Sequence, residues 1–230
     1  MTKKITTGQL VFAAVYNLFW PALLFFLAGD WSWLQGWIFA TWYILLAGIT
    51  MTYLYFKDPE LLAERFRRVG TGNQKSWDKY FILAITILFL IWMVVMPLDA
   101  RRFNWSTGFP RILNFIGVTF LLLSFFFFFR SFKDNTFASP LVRIQEERGQ
   151  QLVTTGVYGF VRHPMYLGAL LMFLGAPFLL ASYWGIAVAA VIILLVAFRT
   201  VGEERMLMQE FPNYREYKQT VKYRLIPYIW

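Results

Sequence analysis

The sequence predicts an all-α, polytopic integral membrane protein with about six transmembrane helices. Of its 230 residues, 58% are hydrophobic and 20% are aromatic, and the mean hydropathy of +0.50 is too high for an ordinary soluble domain. The apolar residues are gathered into long segments separated by polar loops. Basic residues are concentrated in alternate loops, which is typical of membrane proteins oriented by the positive-inside rule.

The apolar segments differ in length. The first four are long enough to cross a hydrocarbon core, which needs about 20 helical residues. The last two are shorter and are separated by only three residues, so we predict a tight helical hairpin. The first apolar run is longer than that of a secretory signal, which indicates a retained span. The six segments are Leu10–Ala28, Trp33–Phe56, Tyr80–Leu98, Ile112–Phe129, Pro164–Leu180 and Trp184–Phe198.

The distribution of Lys and Arg predicts the orientation. Alternate loops hold 19 of these residues against 3, with Lys3 and Lys4 counted before the first segment. The positive-inside rule then places both termini and both long loops, 57–79 and 130–162, in the cytoplasm. The net charge of +9 follows from this asymmetry and favours contact with anionic membrane lipids, so we predict no nucleic-acid partner. In the first long loop, Pro59 precedes a short amphipathic pattern that predicts a helix on the membrane surface.

The cysteine and histidine content limits the chemistry. The chain has no cysteine and one histidine, which excludes a disulfide and a thiolate ligand and argues against a zinc site. We therefore predict no metal. Any reaction would use an organic cofactor or none.

The stretch 152–160 contains threonines and glycines that interrupt the apolar pattern, so it is predicted to be a turn region. Pro164 follows, and proline is favoured at the first position of a helix. The positive end of that helix would carry Arg162 and His163 with the free N–H groups of Met165 and Tyr166, an arrangement that suits a bound carboxylate or phosphate. The alternative is that these basic residues only cap the helix at the membrane interface.

A second polar group follows the last apolar segment. No proline interrupts the chain from Trp184 to Phe211, so we predict one continuous helix that carries Arg199 and Glu203 on one face. The alternative is a solvent-exposed ion pair, but the arginine precedes the glutamate, which is the less favourable order. Gly202 would let another group approach closely, so we predict a functional role for Glu203. Gln145, in the second long loop, is a weaker candidate.

Several motifs follow one another in a fixed order between Arg143 and Pro227. They are LVTTGVY at 152–158, RHPMYLG at 162–168, EERML at 203–207, the aromatic residues Phe211, Tyr214 and Tyr217, and RLIP at 224–227. In their order and spacing, these motifs resemble the isoprenylcysteine carboxyl methyltransferase family, whose wider group includes phospholipid methyltransferases.

The resemblance implies an S-adenosylmethionine-dependent methyltransferase acting on a lipophilic or lipidated acceptor, such as a prenylcysteine carboxylate or a lipid. Residues 1–135 would form the first four transmembrane helices, and residues 136–230 would form the catalytic region with a cytoplasmic cofactor site. Arg199 and Glu203 would be catalytic, with Arg199 facing the substrate. The implied cofactor-binding residues are Gln150, Gln151, Leu152, Val153, Tyr158, His163, Pro164, Met165, Tyr166 and Glu203. Gln150 departs from the family pattern, because many relatives have a histidine there.

Two other functions remain open from the sequence. Membrane sterol reductases that use NADPH resemble the same C-terminal pattern, including a glutamate after the last span and a Tyr-Arg-x-x-Pro ending at Pro227. A non-catalytic membrane protein that binds a ligand is the second alternative.

Overall fold

The computed structural model describes residues 6–230, and within that range it is built of α-helices with no β-strand. Short 3-10 turns occur at 146–148 and 156–159, and a π-helical turn at 98–102 extends the fourth helix. The predicted all-α class is therefore confirmed. Lys3 and Lys4, which contribute to the predicted orientation, lie outside the described residues. The α-helices are α1 (Thr7–Ala28), α2 (Leu34–Lys57), α3 (Pro59–Arg65), α4 (Ser76–Pro97), α5 (Arg111–Asp134), α6 (Pro164–Leu180), α7 (Tyr183–Glu210) and α8 (Tyr214–Thr220).

Five helices in the described range are long and apolar enough to cross a membrane: α1, α2, α4 with its π-helical extension, α5 and α7. The fifth predicted segment is helix α6, which is apolar but has only 17 residues. The chain is a multi-pass integral membrane protein. Helix α7 continues past Phe198 to Glu210, as predicted. The whole helix has 28 residues, so it is much longer than its apolar segment, which we had predicted to be a short span.

The two predicted helix starts at proline are both present. Helix α3 begins at Pro59 and α6 begins at Pro164. Asp58 caps α3, because its side chain accepts a hydrogen bond from the N–H of Leu61 at 2.9 Å. Leu61 and Leu62 are buried, so the apolar side of this short amphipathic helix packs against the rest of the protein.

Helices α5 and α6 pack closely through small residues. A Cβ added at Gly117 would collide with the backbone of α6 at Leu179 and would lie 2.7 Å from the carbonyl oxygen of Gly175. The hydroxyl of Ser124 donates a hydrogen bond to the carbonyl oxygen of Gly168 at 2.8 Å. Small residues allow such backbone approach inside membranes, where packing replaces the hydrophobic effect as the driving force between helices. This contact holds the start of α6 in place beside the end of α5.

The α6–α7 hairpin is fixed at the opposite end of the bundle by a buried carboxylate. Asp99 has no exposed surface and accepts hydrogen bonds from the hydroxyls of Ser106 at 2.7 Å and Ser182 at 2.6 Å. Ser182 in turn caps α7 by accepting from the N–H of Gly185 at 2.8 Å. The predicted tight hairpin is present, with Ala181 in the left-handed conformation that ends α6.

Gly117→Ala is expected to destabilise the protein, because the added methyl group meets backbone atoms that cannot move aside. Overpacking of this kind costs typically about 1–3 kcal/mol. Gly48→Ala is the matched control, since a Cβ at Gly48 in α2 meets no atom within 4 Å. Thermal unfolding in detergent should show a lowered Tm for Gly117→Ala and an unchanged or raised Tm for Gly48→Ala. Equal Tm values for the two variants would contradict the close α5–α6 contact.

Candidate active site

A pocket lies where the 135–163 loop, the start of α6, the end of α7 and helix α8 meet. It encloses about 770 Å³, part of which is open to solvent. The ten residues to which the resemblance assigns cofactor binding all line it: Gln150, Gln151, Leu152, Val153, Tyr158, His163, Pro164, Met165, Tyr166 and Glu203. Aromatic and apolar side chains from the end of α7 and from α8 complete the wall. They include Met206, Leu207, Phe211, Tyr214 and Tyr217.

Glu203 presents a carboxylate to this pocket. Its side chain is 25% exposed, and its Oε2 atom accepts a hydrogen bond from the hydroxyl of Tyr166 at 2.5 Å. The Nδ1 atom of His163 lies 4.0 Å from the same oxygen. The second carboxylate oxygen is left for a ligand. A partly buried carboxylate with spare acceptor capacity suits an ammonium or a pair of hydroxyl groups.

The start of α6 differs in part from the prediction. The N–H of Tyr166 is not free, because it donates to the carbonyl oxygen of His163 at 3.1 Å. The N–H of Met165 has no backbone acceptor within residues 6–230. One helix-terminal donor is therefore free to meet an anionic group, where the sequence predicted two.

Arg162 is buried, and contacts within the protein engage most of its guanidinium group. It is 5% exposed, and its Nε atom donates to Oε1 of Glu204 at 2.6 Å. Its Nη1 atom donates to the carbonyl oxygens of Val221 and Lys222, each at 2.7 Å. The Nε and Nη1 donors of this arginine are therefore used by a neighbouring acid and the C-terminal tail, although the sequence pattern assigned them to a bound anion or to the membrane interface. Its role here is to hold the tail against the pocket.

Glu204 is the centre of a buried charge cluster behind the pocket. Its side chain is 2% exposed and accepts from Arg162 and, at 2.8 Å, from Nε of Arg224. Nε2 of His163 lies 3.4 Å from Oε1 of Glu204 and has no hydrogen-bond partner of good geometry. The backbone N–H groups of Arg162 and His163 donate to the carbonyl oxygens of Tyr223 and Arg224, at 3.0 and 2.9 Å. These contacts bind the C-terminal tail to the start of α6.

Three buried tyrosines form the floor of the pocket. The hydroxyl of Tyr217 donates to the carbonyl oxygen of Tyr158 at 2.7 Å. Burial raises the pKa of Tyr158, Tyr214 and Tyr217 above the ordinary value, so all three phenols are neutral at physiological pH. The face of a neutral tyrosine ring attracts cations through the quadrupole of the ring, so these side chains can accommodate a bound cation.

The loop that covers the pocket is fixed by an ion-pair network on α3. Nε of Arg143 donates to Oε1 of Glu64 at 2.9 Å, and the hydroxyl of Ser139 donates to the same oxygen at 2.8 Å. Burial alone would raise the pKa of Glu64, but these hydrogen bonds and one from Arg67 outweigh it and lower the pKa. Hydrogen bonding from Arg143 also lowers the pKa of Glu147. Both carboxylates are thus charged at neutral pH and hold the loop over the pocket.

Gln145 and Gln150 support this loop from within. Gln145 has no exposed surface, does not line the pocket, and donates from Nε2 to the carbonyl oxygen of Phe137 at 2.7 Å. The side-chain oxygen of Gln150 accepts from the N–H of Gln145 at 2.7 Å. Because that oxygen is engaged, Gln150 can offer the pocket its backbone and its side-chain amide nitrogen. Gln145 therefore stabilises the loop through these hydrogen bonds.

Arg199 lies beside the pocket and not in its wall. It is 7% exposed, and its Nε atom donates to Oδ1 of Asp78 at 3.0 Å. Its Nη2 atom donates to the carbonyl oxygen of Pro140 at 2.7 Å. The guanidinium carbon is 5.6 Å from the ring centroid of Tyr166, which separates it from the pocket. The exposed Arg199–Glu203 ion pair considered from the sequence does not form.

On its other side, Arg199 borders a groove between α4 and α7 that is open at the protein surface. The groove is lined by apolar side chains such as Phe81, Leu195 and Phe198, and it shares Met206 with the pocket. Arg199 therefore lies between this groove and the pocket. The sequence contained one signal for this site that we did not use, which is the acidic Asp78 in the first turn of a largely apolar helix.

Comparison with known proteins identifies the family. A family model described as "Phospholipid methyltransferase" matches residues 112–214. Protein-S-isoprenylcysteine O-methyltransferase B of Arabidopsis thaliana is 31% identical over 148 residues, which cover 63% of this chain and 72% of that protein. The chain belongs to the isoprenylcysteine O-methyltransferase and phospholipid methyltransferase-like family. The predicted family and its methyltransferase class are thereby confirmed.

Two further relatives show how far the likeness extends. The protein-S-isoprenylcysteine O-methyltransferase of Schizosaccharomyces pombe is 26% identical over 174 residues, which cover 65% of this chain and 71% of that protein. The Delta(14)-sterol reductase of Mus musculus is 32% identical over 109 residues, but these cover 44% of this chain and only 25% of that protein. The chain thus spans most of the length of the methyltransferases and a quarter of the reductase.

Proposed function

We propose that this protein transfers a methyl group from S-adenosylmethionine to a lipophilic acceptor at the membrane surface. The observation that carries the proposal is the pocket itself, because the ten residues implied by the family resemblance converge on one cavity from a loop and two helices. Membership of a methyltransferase family supports the same reaction class. Arg199 and Glu203 are proposed as the substrate-side and cofactor-side catalytic residues.

The groups in the pocket fit the charges of the proposed cofactor. The spare oxygen of Glu203 suits its ammonium or ribose hydroxyls, and the free N–H of Met165 suits its carboxylate. Leu152, Val153 and Leu207 offer apolar surface for an adenine ring. The neutral tyrosine rings suit a sulfonium, whose positive charge makes its methyl group electrophilic.

Catalysis by this site would depend on positioning. Methyl transfer is an in-line displacement, so the chain must hold donor and acceptor about 3–3.5 Å apart and keep water out. The covering loop held by Glu64 and Arg143 and the tail held by Glu204 exclude water from two sides. The groove beside Arg199 gives a lipophilic acceptor a route from the membrane. With the cytoplasmic orientation predicted from the charges, the soluble cofactor enters from the cytoplasm.

NADPH-dependent reduction is the second candidate, because the sterol reductase match covers this same kind of C-terminal region. A 2′-phosphate requires a free cation in the pocket. The two arginines that line the pocket, Arg143 and Arg162, are each paired with buried glutamates. This pairing favours the methyltransferase proposal.

Calorimetric titration of the detergent-purified protein tests the proposal. S-adenosylmethionine should bind with micromolar affinity, and Glu203→Gln should weaken that binding at least about tenfold, because a charge-assisted hydrogen bond is lost. Glu146→Gln is the matched control, since Glu146 is an exposed glutamate outside the pocket. Binding of NADPH in place of S-adenosylmethionine would favour the reductase function instead. Binding of neither ligand would favour the non-catalytic alternative.

A further inference from the structure

A long apolar groove lies between α2 and α5, away from the candidate active site. It encloses about 1270 Å³, part of which is open at the protein surface. It shares no lining residue with the pocket or with the groove beside Arg199. Each helix forms one wall, and the wall from α5 includes part of the phenylalanine run at 125–129. The lining residues are Trp37, Ile38, Thr41, Trp42, Leu45, Leu122, Phe125, Phe126, Phe129 and Arg130.

The groove follows the direction of two membrane-crossing helices. The Nε1 atom of Trp42 donates to the carbonyl oxygen of Leu121 at 2.7 Å, and farther along both helices the ring of Tyr53 packs on that of Phe129. These two contacts show that α2 and α5 run in the same direction. The lining residues extend from the first turn of α2 to the last turns of α5, which is about 20 Å at the helical rise per residue. Half of a hydrocarbon core about 30 Å thick is shorter than that, so the groove can hold one extended acyl chain.

The end of the groove near the last turns of both helices is positively charged. Arg130 lines it, and its Nε and Nη2 atoms donate to Oδ2 of Asp134 at 3.2 and 2.9 Å. Its Nη1 atom has no hydrogen-bond acceptor among residues 6–230. Lys133 follows Arg130 by three residues, Lys57 follows Tyr53 by four, and both lysines are exposed. Since residues three or four apart share a helix face, the lysines lie about one turn beyond the groove.

No neighbouring acid neutralises these two lysines. Asp134 pairs with Arg130, Asp58 pairs with Arg148, and neither lysine forms an ion pair within the described part of the chain. Two unbalanced positive charges therefore lie beside the open end of an apolar groove. With the orientation predicted from the charges, this end faces the cytoplasm, where the membrane surface carries anionic lipids. An acyl chain matches the groove, and an anionic headgroup matches its charged end.

We infer that this groove binds one anionic phospholipid of the cytoplasmic leaflet. One acyl chain lies between α2 and α5, and the phosphate contacts Nη1 of Arg130 and the ammonium of Lys133. Lys57 adds positive charge from the other helix. The lipid is a bound component of the fold and not the methyl acceptor, because its site is separate from the pocket. The inference goes beyond the proposed methyl transfer and does not depend on it.

The charged end is tested by native mass spectrometry of the detergent-purified full chain. The probes are phosphatidylglycerol and phosphatidylcholine with the same palmitoyl and oleoyl chains. The natural protein should bind one phosphatidylglycerol at least about tenfold more tightly than phosphatidylcholine, since each Lys or Arg near an anionic lipid contributes about fivefold in affinity. Lys133→Gln should lower the affinity for phosphatidylglycerol about fivefold. Lys79→Gln is the matched control and should leave it unchanged, because it removes the same charge from an exposed site on α4, outside the groove.

A second pair of variants tests the acyl chain. Leu122→Trp fills the groove at an exposed position, whereas Leu123→Trp adds the same bulk at an exposed neighbour outside the groove. Leu122→Trp should lower the affinity for phosphatidylglycerol at least about fivefold, which corresponds to about two methylene groups displaced from apolar contact, and Leu123→Trp should not change it. Equal affinities for the two lipids, or equal effects within either pair of variants, would overturn the inference. Displacement of the lipid by N-acetyl-S-farnesyl-L-cysteine would also overturn it, because the groove would then belong to the methyl acceptor.

Discussion

Glu204→Gln is expected to lower the Tm of the protein by about 10 °C. The substitution keeps the size of the side chain but removes the negative charge that balances Arg162 and Arg224. Removal of one partner from a buried ion pair costs about 3–5 kcal/mol, because it leaves an uncompensated charge behind. For a chain of this size, each kcal/mol corresponds to about 2–4 °C in Tm. Thermal unfolding in detergent measures the change.

The same substitution should also weaken cofactor binding. Glu204 holds Arg224, and the backbone of the tail pairs with the start of α6 at Arg162 and His163. Release of the tail would loosen α8, whose residues Tyr214 and Tyr217 line the pocket. Glu216→Gln is the control, since Glu216 is exposed and should change the free energy of unfolding by less than about 0.5 kcal/mol. Equal Tm values for the two variants would show that Glu204 does not hold the tail.

Local sequence patterns predicted the parts of this site that are continuous in the chain. The turn region before Pro164 and the helix that follows bring nine of the site residues that the resemblance implied, from Gln150 to Tyr166, into one pocket wall. Proline and glycine set the backbone conformation there through their own geometry. A pattern of this kind needs no knowledge of distant contacts, so it can be read directly.

The partners of the charged residues could not be predicted in the same way. Arg199 binds Asp78, which is 121 positions away in the sequence, and no local pattern specifies which of the acids it meets. Glu203 and Glu204 are adjacent, yet successive helix residues point about 100° apart. One of them therefore faces the pocket, whereas the other faces the arginines of α6 and the tail. The packing of the helices determines which of the two glutamates faces the pocket.

The double variant Asp78→Asn/Arg199→Gln is expected to fold normally but to lose about 100-fold in kcat/KM for the lipophilic acceptor. Arg199→Ala alone would leave Asp78 buried and unpaired, so a loss of activity could arise from unfolding. The double variant removes both charges together and replaces them with neutral polar groups. Its Tm should stay within a few degrees of that of the natural protein, whereas Arg199→Ala should lower the Tm.

The kinetic readout is methyl transfer to N-acetyl-S-farnesyl-L-cysteine, with the affinity for S-adenosylmethionine measured alongside. Because Arg199 lies behind Tyr166 and not in the pocket wall, cofactor affinity should be unchanged in the double variant. The predicted 100-fold loss corresponds to about 2.7 kcal/mol of transition-state stabilisation, within the range of one charge-assisted contact to the acceptor. Unchanged turnover in a folded double variant would show that Arg199 has only a structural role, in which it anchors α7 against α4 and the covering loop. The acceptor would then be recognised without it.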